Sequence, residues 1–249
     1  MIDLVIGAAH GYSAKQVRPF LKSLRMTGYV GKIILYADGG GANEASRWDV
    51  EIQACPTFRG KPHAARFLWI QKSIEDNPCE GVLLADTRDV IFQSNPSLLP
   101  AIGLHTFEED RSMTLGSCPY NSKWLRIGYG EKILEELSHL PISCVGATCG
   151  DWENVSHYLT LLREEINRIQ PKTNEPQDQA AHNFLIYKKI PSTIWNNEVG
   201  DIYTVGYIPK HTVVLENGKI LNRAGDIPII VHQWDRHKNL SNLVEATLL

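Results

Sequence analysis

The 249 residues of the chain are 43% hydrophobic and 21% charged, and the formal net charge is −3. This is the composition of an ordinary globular protein, so disordered and fibrous classes are excluded. The slightly acidic balance, without a long basic run, argues against nucleic acid as a partner. No stretch approaches the roughly 18 apolar residues of a membrane-spanning helix, and the first residues lack the basic start of a signal peptide, so we expect a cytoplasmic protein.

The first 96 residues alternate predicted strands and helices. Apolar runs predict strands at 2–7, 32–38, 50–55 and 81–85, and helices are predicted to begin at Ser13 and at Lys61-Pro62. Gly39 to Gly41 are predicted to form a flexible turn. This alternation is typical of a parallel sheet with right-handed crossovers. Residues 1–96 therefore read as a Rossmann-type nucleotide-binding half of an α/β fold.

The loop after the first predicted strand consists of small residues that would let a nucleotide approach the backbone. It begins Ala8-Ala9-His10 and lacks the GxGxxG pattern of dinucleotide-binding folds. His63 and Arg66 lie one turn apart near the start of the Lys61 helix, where they would face an anionic diphosphate. The alternative for both is an ordinary solvated helix surface.

The most informative stretch is residues 81–93, GVLLADTRDVIFQ. Its apolar first part predicts a strand buried on both faces, and Asp86, Arg88 and Asp89 follow at once. Ligands bind at the carboxyl ends of strands in open α/β sheets, and carboxylates suit hard cations such as Mg²⁺ or Mn²⁺. The alternative is that Asp86 caps a turn and Asp89 pairs with Arg88 at the surface.

Residues 97–249 give weaker signals. Residues 97–128 lack periodicity, which is typical of a binding loop, and we expect 97–121, with Tyr120 and Trp124, to bind an acceptor. A short helix is predicted at 129–140, and the small residues of 141–150 form either a ligand-binding backbone or a tight buried strand. The other predicted elements are a long helix from Asp151 to Pro171, a helix opening at Pro176, a hairpin at Asn217-Gly218 and a last strand ending at His232.

Four stretches together resemble the GT-A glycosyltransferases: LLADTRDVIF, CVGATCG, Asp178-Gln179 at a helix start, and the late strand that ends in His232. The resemblance is closest to small retaining-type enzymes that use a nucleotide sugar. It implies one GT-A domain over 1–249, Rossmann-like, with a mostly parallel central sheet, flanking helices and a late β-hairpin. In that domain 97–249 would bind the acceptor and complete the metal site.

The resemblance also implies roles for individual residues. Asp86, Asp89 and His232 would hold Mn²⁺ or Mg²⁺, and the carboxylates are spaced D-x-x-D here where the family has D-x-D, so either Asp is a candidate for the direct ligand. Asp178 and Gln179 would be catalytic, facing the donor sugar and the acceptor. The nucleotide would contact Ala8, Ala9, His10, Asp38, Arg66, Asp86 and Arg88.

The implied reaction transfers a hexose from a nucleotide sugar, by family habit a UDP-hexose, to a glycan, glycolipid or protein. A lipid-linked acceptor would bring the enzyme to the inner face of a membrane. A retaining reaction needs no dedicated base, whereas an inverting one would need a carboxylate such as Asp151 or Glu153. Two other functions remain open: a metal-dependent phosphohydrolase or sugar nucleotidyltransferase, and a non-catalytic carbohydrate or nucleotide binder.

Overall fold

The computed structural model describes residues 1–57, 61–169, 175 and 177–249, which contain twelve β-strands and eight α-helices. The strands are β1 (Leu4–Ala9), β2 (Lys32–Ala37), β3 (Glu51–Gln53), β4 (Gly81–Ala85), β5 (Val90–Phe92), β6 (Leu104–Glu108), β7 (Ser143–Asp151), β8 (Thr193–Trp195), β9 (Ile202–Thr204), β10 (Val214–Glu216), β11 (Lys219–Leu221) and β12 (Ile230–His232). The helices are α1 (Ala14–Met26), α2 (Gly39–Ala45), α3 (Pro62–Asp76), α4 (Pro119–Tyr129), α5 (Glu131–Leu137), α6 (Trp152–Ile169), α7 (Asp178–Lys188) and α8 (Lys238–Leu248). Pro171 and Pro176, expected to end α6 and to open α7, lie outside the described residues.

Seven strands form the main sheet in the order β3-β2-β1-β4-β7-β6-β8. The first four are parallel, β7 runs antiparallel to both of its neighbours, and β8 is parallel to β6. The order β3-β2-β1-β4 is that of the first four strands in the doubly wound arrangement. The prediction of an α/β fold with a mostly parallel sheet is confirmed, and the GT-A assignment stays a prediction.

Strand β4 is buried on both faces because helices or other strands cover each side. Val82 and Leu84 pack with α3, α6 and α7 in one hydrophobic cluster, and Leu83 and Ala85 pack with α1 and β5 in another. This explains its unbroken apolar sequence, which a half-exposed strand would interrupt with polar residues. None of the helices in the described ranges is long and apolar enough to span a membrane.

A second sheet joins strands from the two halves of the chain in the order β5-β12-β9. Strand β12 is antiparallel to β5, with His232 opposite Val90, and parallel to β9. The Gln233 N–H continues this pairing by donating to the Asp89 carbonyl at 2.8 Å. The late part of the chain thereby reaches the acidic stretch that follows β4.

The predicted hairpin is present as β10–β11, and it forms a two-stranded sheet of its own. Asn217 and Gly218 have φ angles of 49° and 75°, which a type I′ turn requires and which Asn-Gly adopts readily. The hairpin packs in a hydrophobic cluster with β9, β12 and α8.

Three expected elements differ from the structure. Gly39 to Gly41 begin α2 instead of forming a flexible turn, because Gly41 packs closely against the Ala9 and Tyr12 carbonyls and Val17 of α1. Residues 97–128 contain β6 and all but the last residue of α4. Strand β6 was not predicted because its polar residues are buried along with its apolar ones. The helix expected at 129–140 is only α5, since Gly130, with a φ of 84°, separates it from α4.

Candidate functional site

A cavity of about 540 Å³ opens beyond the carboxyl ends of β1 and β4. Both halves of the chain line it. The first half contributes Ala8, His10, Tyr12, Pro62, His63, Arg66, Trp69, Asp86 and Arg88. The second contributes Glu109, Asn121, Trp124, Cys144, Val145, Gly146, Asp178, Gln179, Tyr207, Gln233 and Arg236.

Asp86, Asp89 and His232 come together beside this cavity, and Asp86 lines it. The three offer ligand atoms that all lie within 4.8 Å of one another. His232 Nε2 is 3.6 Å from Asp86 Oδ2 and 3.7 Å from Asp89 Oδ1, too far for hydrogen bonds. The Nε2 atom is buried without a hydrogen-bond partner, while Asp86 reaches the cavity surface. The three residues that the sequence nominated as metal ligands therefore do form one cluster.

Neighbouring strands fix this arrangement. The Asp86 N–H donates to the Gly146 carbonyl of β7 at 2.8 Å, and the Thr87 hydroxyl donates to the Ala8 carbonyl of β1 at 2.7 Å. These bonds hold the turn after β4 against both neighbouring strands. Asp89 then enters β5, whose pairing with β12 brings His232 beside it.

The absence of a side chain at Gly146 leaves room for the side chains of Asp86 and His232. A Cβ at this position would overlap His232 Cε1 and would lie 2.8 Å from Asp86 Oδ2 and 2.9 Å from His232 Nε2. Of the two interpretations left open for residues 141–150, the buried strand is correct, since β7 is hydrogen-bonded on both sides. Gly146 is required in this strand because the side chains of Asp86 and His232 pack directly on its backbone.

The pKa values of the three side chains in the cluster are shifted in different directions. Burial would raise the pKa of Asp86, but Arg66 and His232 hold that pKa well below its ordinary value. Burial raises the pKa of Asp89, and the neighbouring Asp86 adds to the increase. Burial alone would lower the pKa of His232, but Cys144, Asp89 and Asp86 together raise it well above its ordinary value. The site therefore favours positive charge at the centre of the three side chains.

Arg66 links the acidic cluster to α7. Its guanidinium forms an ion pair with Asp86 and lies 3.6 Å from Asp178 Oδ2. Asp178 is the first residue of α7 and is buried at the cavity wall. The two candidate acids, Asp86 and Asp178, predicted from stretches far apart in the sequence, are thus connected through one partly buried cation.

Gln179 also lines the cavity, but both ends of its amide bind the β7 backbone. Its Oε1 accepts the Val145 N–H at 3.0 Å, and its Nε2 donates to the Ser143 carbonyl at 2.7 Å. The structure therefore favours a role for Gln179 in positioning β7. The bond to Val145 lies directly beside Gly146. Its predicted contact with the sugar would require these bonds to be shared or broken.

The predicted nucleotide contacts are only partly at the cavity. Ala8, His10 and Arg88 line it, and Arg88 pairs with Asp235 at 3.1 Å. Ala9 does not, contrary to the prediction, because alternate residues of β1 face opposite sides and Ala9 is buried in the core. Asp38 also stays outside: it binds His10 Nδ1 at 2.6 Å and accepts the Gly11 N–H at 2.7 Å.

Asp151 and Glu153, proposed as bases for an inverting reaction, are misplaced for that role. Asp151 pairs with Gly81 at the amino end of β4, whereas Asp86 follows its carboxyl end. The Asp151 carboxylate accepts the Gly103 and Asn154 N–H groups at 2.6 and 2.8 Å, which is a structural task. The prediction that either residue serves as a base at this cavity is wrong.

Of the expected acceptor stretch 97–121, two residues reach the cavity, Glu109 and Asn121. Trp124 lines it as well, whereas Tyr120 is 60% exposed, is not among the lining residues, and lies beside the Trp124 ring. Glu109, Gln233 and Arg236 line the cavity without having been predicted as site residues. Gln233 and Arg236 directly follow the β12 strand end, which was the available signal.

Two comparisons with known proteins found no match: no family model matches the sequence, and no curated protein matches it.

Proposed function

We propose that this protein is a metal-dependent glycosyltransferase of the GT-A type, which transfers a hexose from a nucleoside diphosphate sugar to an acceptor. One observation carries the proposal. Asp86, Asp89 and His232, supplied by the two halves of the chain, converge beside a cavity large enough for a ligand of this kind, and Asp86 lines that cavity.

The cluster fits a hard divalent cation. Its donors are two carboxylates and one imidazole, a set that suits Mn²⁺ or Mg²⁺, whereas zinc sites favour sulfur and nitrogen. The ligand atoms of the three residues all lie within 4.8 Å of one another, so they are close enough to hold one ion together. A cation would also give the orphaned Nε2 atom a partner.

When bound, such a cation neutralises the charge that develops on the departing diphosphate. The residues of the chain have complementary tasks. Arg66 holds Asp86 and Asp178 in place, so that the metal ligand and the second carboxylate keep a fixed separation. Asp178 would lie toward the transferred sugar, where a carboxylate stabilises the positive charge of the transition state. Gln179 fixes the strand that backs the cluster.

We favour retention of configuration at the transferred carbon. The residues nominated from the sequence as an inverting base lie at the opposite end of the sheet. A retaining transfer needs no dedicated base, since the leaving phosphate oxygen takes the acceptor proton. The donor base and sugar are left open, with a UDP-hexose as the first to test.

The proposal is tested by thermal unfolding with UDP, GDP, CDP and ADP, each with and without Mn²⁺. A ligand that binds only the folded state raises its stability, so one diphosphate should raise the melting temperature in a manner that requires the metal. A metal-dependent phosphohydrolase should instead be stabilised by Mn²⁺ with little preference among the four bases. Absence of any metal-linked shift would contradict the proposal.

The Asp89→Ala variant tests whether metal binding and turnover require the Asp89 carboxylate. The variant should lose the metal-linked shift, and turnover of the donor should fall by at least about a hundredfold, because charge stabilisation in a dry site is lost. Asp76→Ala is the matched control, since Asp76 is an exposed carboxylate at the end of α3 and away from the cavity. Activity that survives Asp89→Ala would overturn the site assignment.

A further inference from the structure

Three buried residues line the second half of the cavity, and each has a side-chain oxygen atom without a hydrogen-bond partner. They are Glu109 (Oε2), Asn121 (Oδ1) and Gln233 (Oε1). The three residues are between 4% and 6% exposed, so bulk water does not satisfy these atoms. A buried polar atom without a partner destabilises the folded protein, so three around one cavity are a substantial cost to the free protein.

The three residues belong to one continuous surface. The Gln233 amide nitrogen lies 3.9 Å from Cys144 Sγ, and the same thiol interacts with the Glu109 carboxyl. On the other side, Asn121 Nδ2 donates to Cys118 Sγ at 3.3 Å, and that sulfur is 3.5 Å from the Tyr207 hydroxyl. These contacts fix the positions of the Gln233 and Asn121 side chains.

This surface adjoins the acidic cluster. Cys144 Sγ is 3.7 Å from His232 Nδ1, on the opposite side of the imidazole from Asp86 and Asp89. A second glycine makes room here, since a Cβ on Gly206 would overlap Gln233 Oε1 and lie 2.6 Å from Arg236 Nη1. Two aromatic rings, Trp124 and Tyr207, and the Arg236 side chain also line this part of the cavity.

We propose that Glu109, Asn121 and Gln233 bind a saccharide ring through its hydroxyl groups. The inference rests on the proposed function and deepens it by naming a subsite and the class of group that it holds. A hydroxyl donates one hydrogen bond, so a ring bearing several hydroxyls satisfies several orphaned oxygens at once. An apolar ligand would leave them unpaired.

The other lining groups suit the same ligand. The Arg236 guanidinium can donate to hydroxyl or ring oxygens, and the flat faces of Trp124 and Tyr207 offer apolar contact to the C–H groups of the ring. The saccharide is either the hexose of the donor or the end of the acceptor. The two sources have the same chemistry and are separated by experiment.

The test uses two variants, Glu109→Met and Asn121→Leu, which replace the orphaned groups by apolar ones of similar size. Gln71→Leu is the control, because Gln71 is a buried amide with an unpartnered oxygen that lies outside the cavity. A merely structural role would make the two variants less stable. We expect their melting temperatures without ligand to be equal to or above that of the wild type, since a desolvated group is removed.

Binding is measured with two sets of probes. The acceptor arm uses methyl glycosides of glucose, galactose and mannose, followed by saturation-transfer NMR with UDP and Mn²⁺ present. The donor arm compares the thermal shift given by UDP-glucose, UDP-galactose and GDP-mannose with that given by the matching nucleoside diphosphate. We expect about a tenfold loss of saccharide affinity in both variants and none in Gln71→Leu.

The arm that responds identifies the source of the saccharide. Loss confined to methyl glycosides assigns the subsite to the acceptor, and loss of the extra shift from a sugar nucleotide assigns it to the donor hexose. The inference is overturned if no saccharide probe binds the wild type, or if both variants bind all of them as the wild type does. If one variant does not fold, the other decides.

The proposed function has its own readout in the same experiment, the metal-linked shift with diphosphate alone. That shift should persist in both variants, because neither residue belongs to the metal cluster. Its presence without any saccharide effect would refute only the subsite. Its absence, with saccharide binding that depends on Glu109 and Asn121, would refute the transferase and leave the subsite standing.

Discussion

Gly146→Ala should separate the integrity of the metal cluster from the integrity of the fold. The new Cβ would lie 2.8 Å from Asp86 Oδ2 and 2.9 Å from His232 Nε2, where ordinary contact begins at 3.4 Å. The two ligand atoms must therefore move by at least 0.6 and 0.5 Å, from 3.4 minus 2.8 and 3.4 minus 2.9. Metal sites tolerate changes of only about 0.2 Å in ligand distances, so we expect Mn²⁺ affinity to fall by about 10- to 100-fold.

Overpacking should also reduce the free energy of unfolding by about 1–3 kcal/mol, so stability alone does not test the reasoning. Gly81→Ala provides the matched control. Its Cβ would lie 2.5 Å from the Met1 carbonyl oxygen and 3.0 Å from Ala101 Cβ, at the opposite end of the sheet. We expect a comparable loss of stability with unchanged Mn²⁺ binding.

The direct assay is titration of Mn²⁺ monitored by electron paramagnetic resonance, which reports the free ion, at a temperature where all three proteins are folded. The metal-linked thermal shift with a nucleoside diphosphate is the second readout. Wild-type Mn²⁺ affinity in Gly146→Ala would refute the argument that this glycine is needed for the ligand geometry. Equal loss in both variants would show that the effect comes from general destabilisation.

Three further predictions concern other parts of the structure. Burial lowers the pKa of His182 to about 3, so the unfolded chain takes up a proton near pH 6.5 that the folded protein excludes, and stability falls as pH decreases below that value. Between pH 7 and pH 5 this group should cost about 2 kcal/mol in urea unfolding, and His182→Gln should lack that part of the loss; an identical pH dependence would contradict the assignment. Trp124→Ala should raise the KM for acceptor about tenfold through lost ring contact, and Tyr120→Ala much less because it is outside the cavity; the reverse order in steady-state kinetics would refute the placement. Arg66→Met removes the cation between Asp178, which is buried, and Asp86, which is partly exposed, and should cost about 3 kcal/mol of unfolding free energy, of which Asp178→Asn in the same chain should recover part; additive losses in denaturant titration would argue against the pairing.

The acidic cluster was accessible from the sequence because its signals are local. An apolar strand followed at once by Asp86 and Asp89 marks the end of a buried strand, and the Asn217-Gly218 turn defines its hairpin by backbone preference alone. His232 was identified by its place after the last apolar run. That it meets the two carboxylates was implied only by the family resemblance, and the pairing of β12 with β5 that brings them together was not predicted.

The remainder depended on long-range packing. Strand β6 could not be recognised because Thr106 and Glu108 are as buried as Phe107, which removes the alternation of polar and apolar residues. Ala8 and Ala9 differ in role only through the direction in which each faces from β1, and both faces of that strand are covered. The bonds of Gln179 to β7 are likewise invisible before the strand is placed.

The distribution of unsatisfied polar atoms explains why the cavity resists prediction from local sequence. His232 Nε2, Glu109 Oε2 and Gln233 Oε1 are each a cost to the free fold, and each is held in place by packing from an element distant in the chain. A sequence chosen only for stability would replace them with apolar residues. Their collection around one cavity, where a cation and hydroxyl groups would supply the missing partners, is what a site built for ligand binding requires, since the same interactions that destabilise the free protein then stabilise the complex.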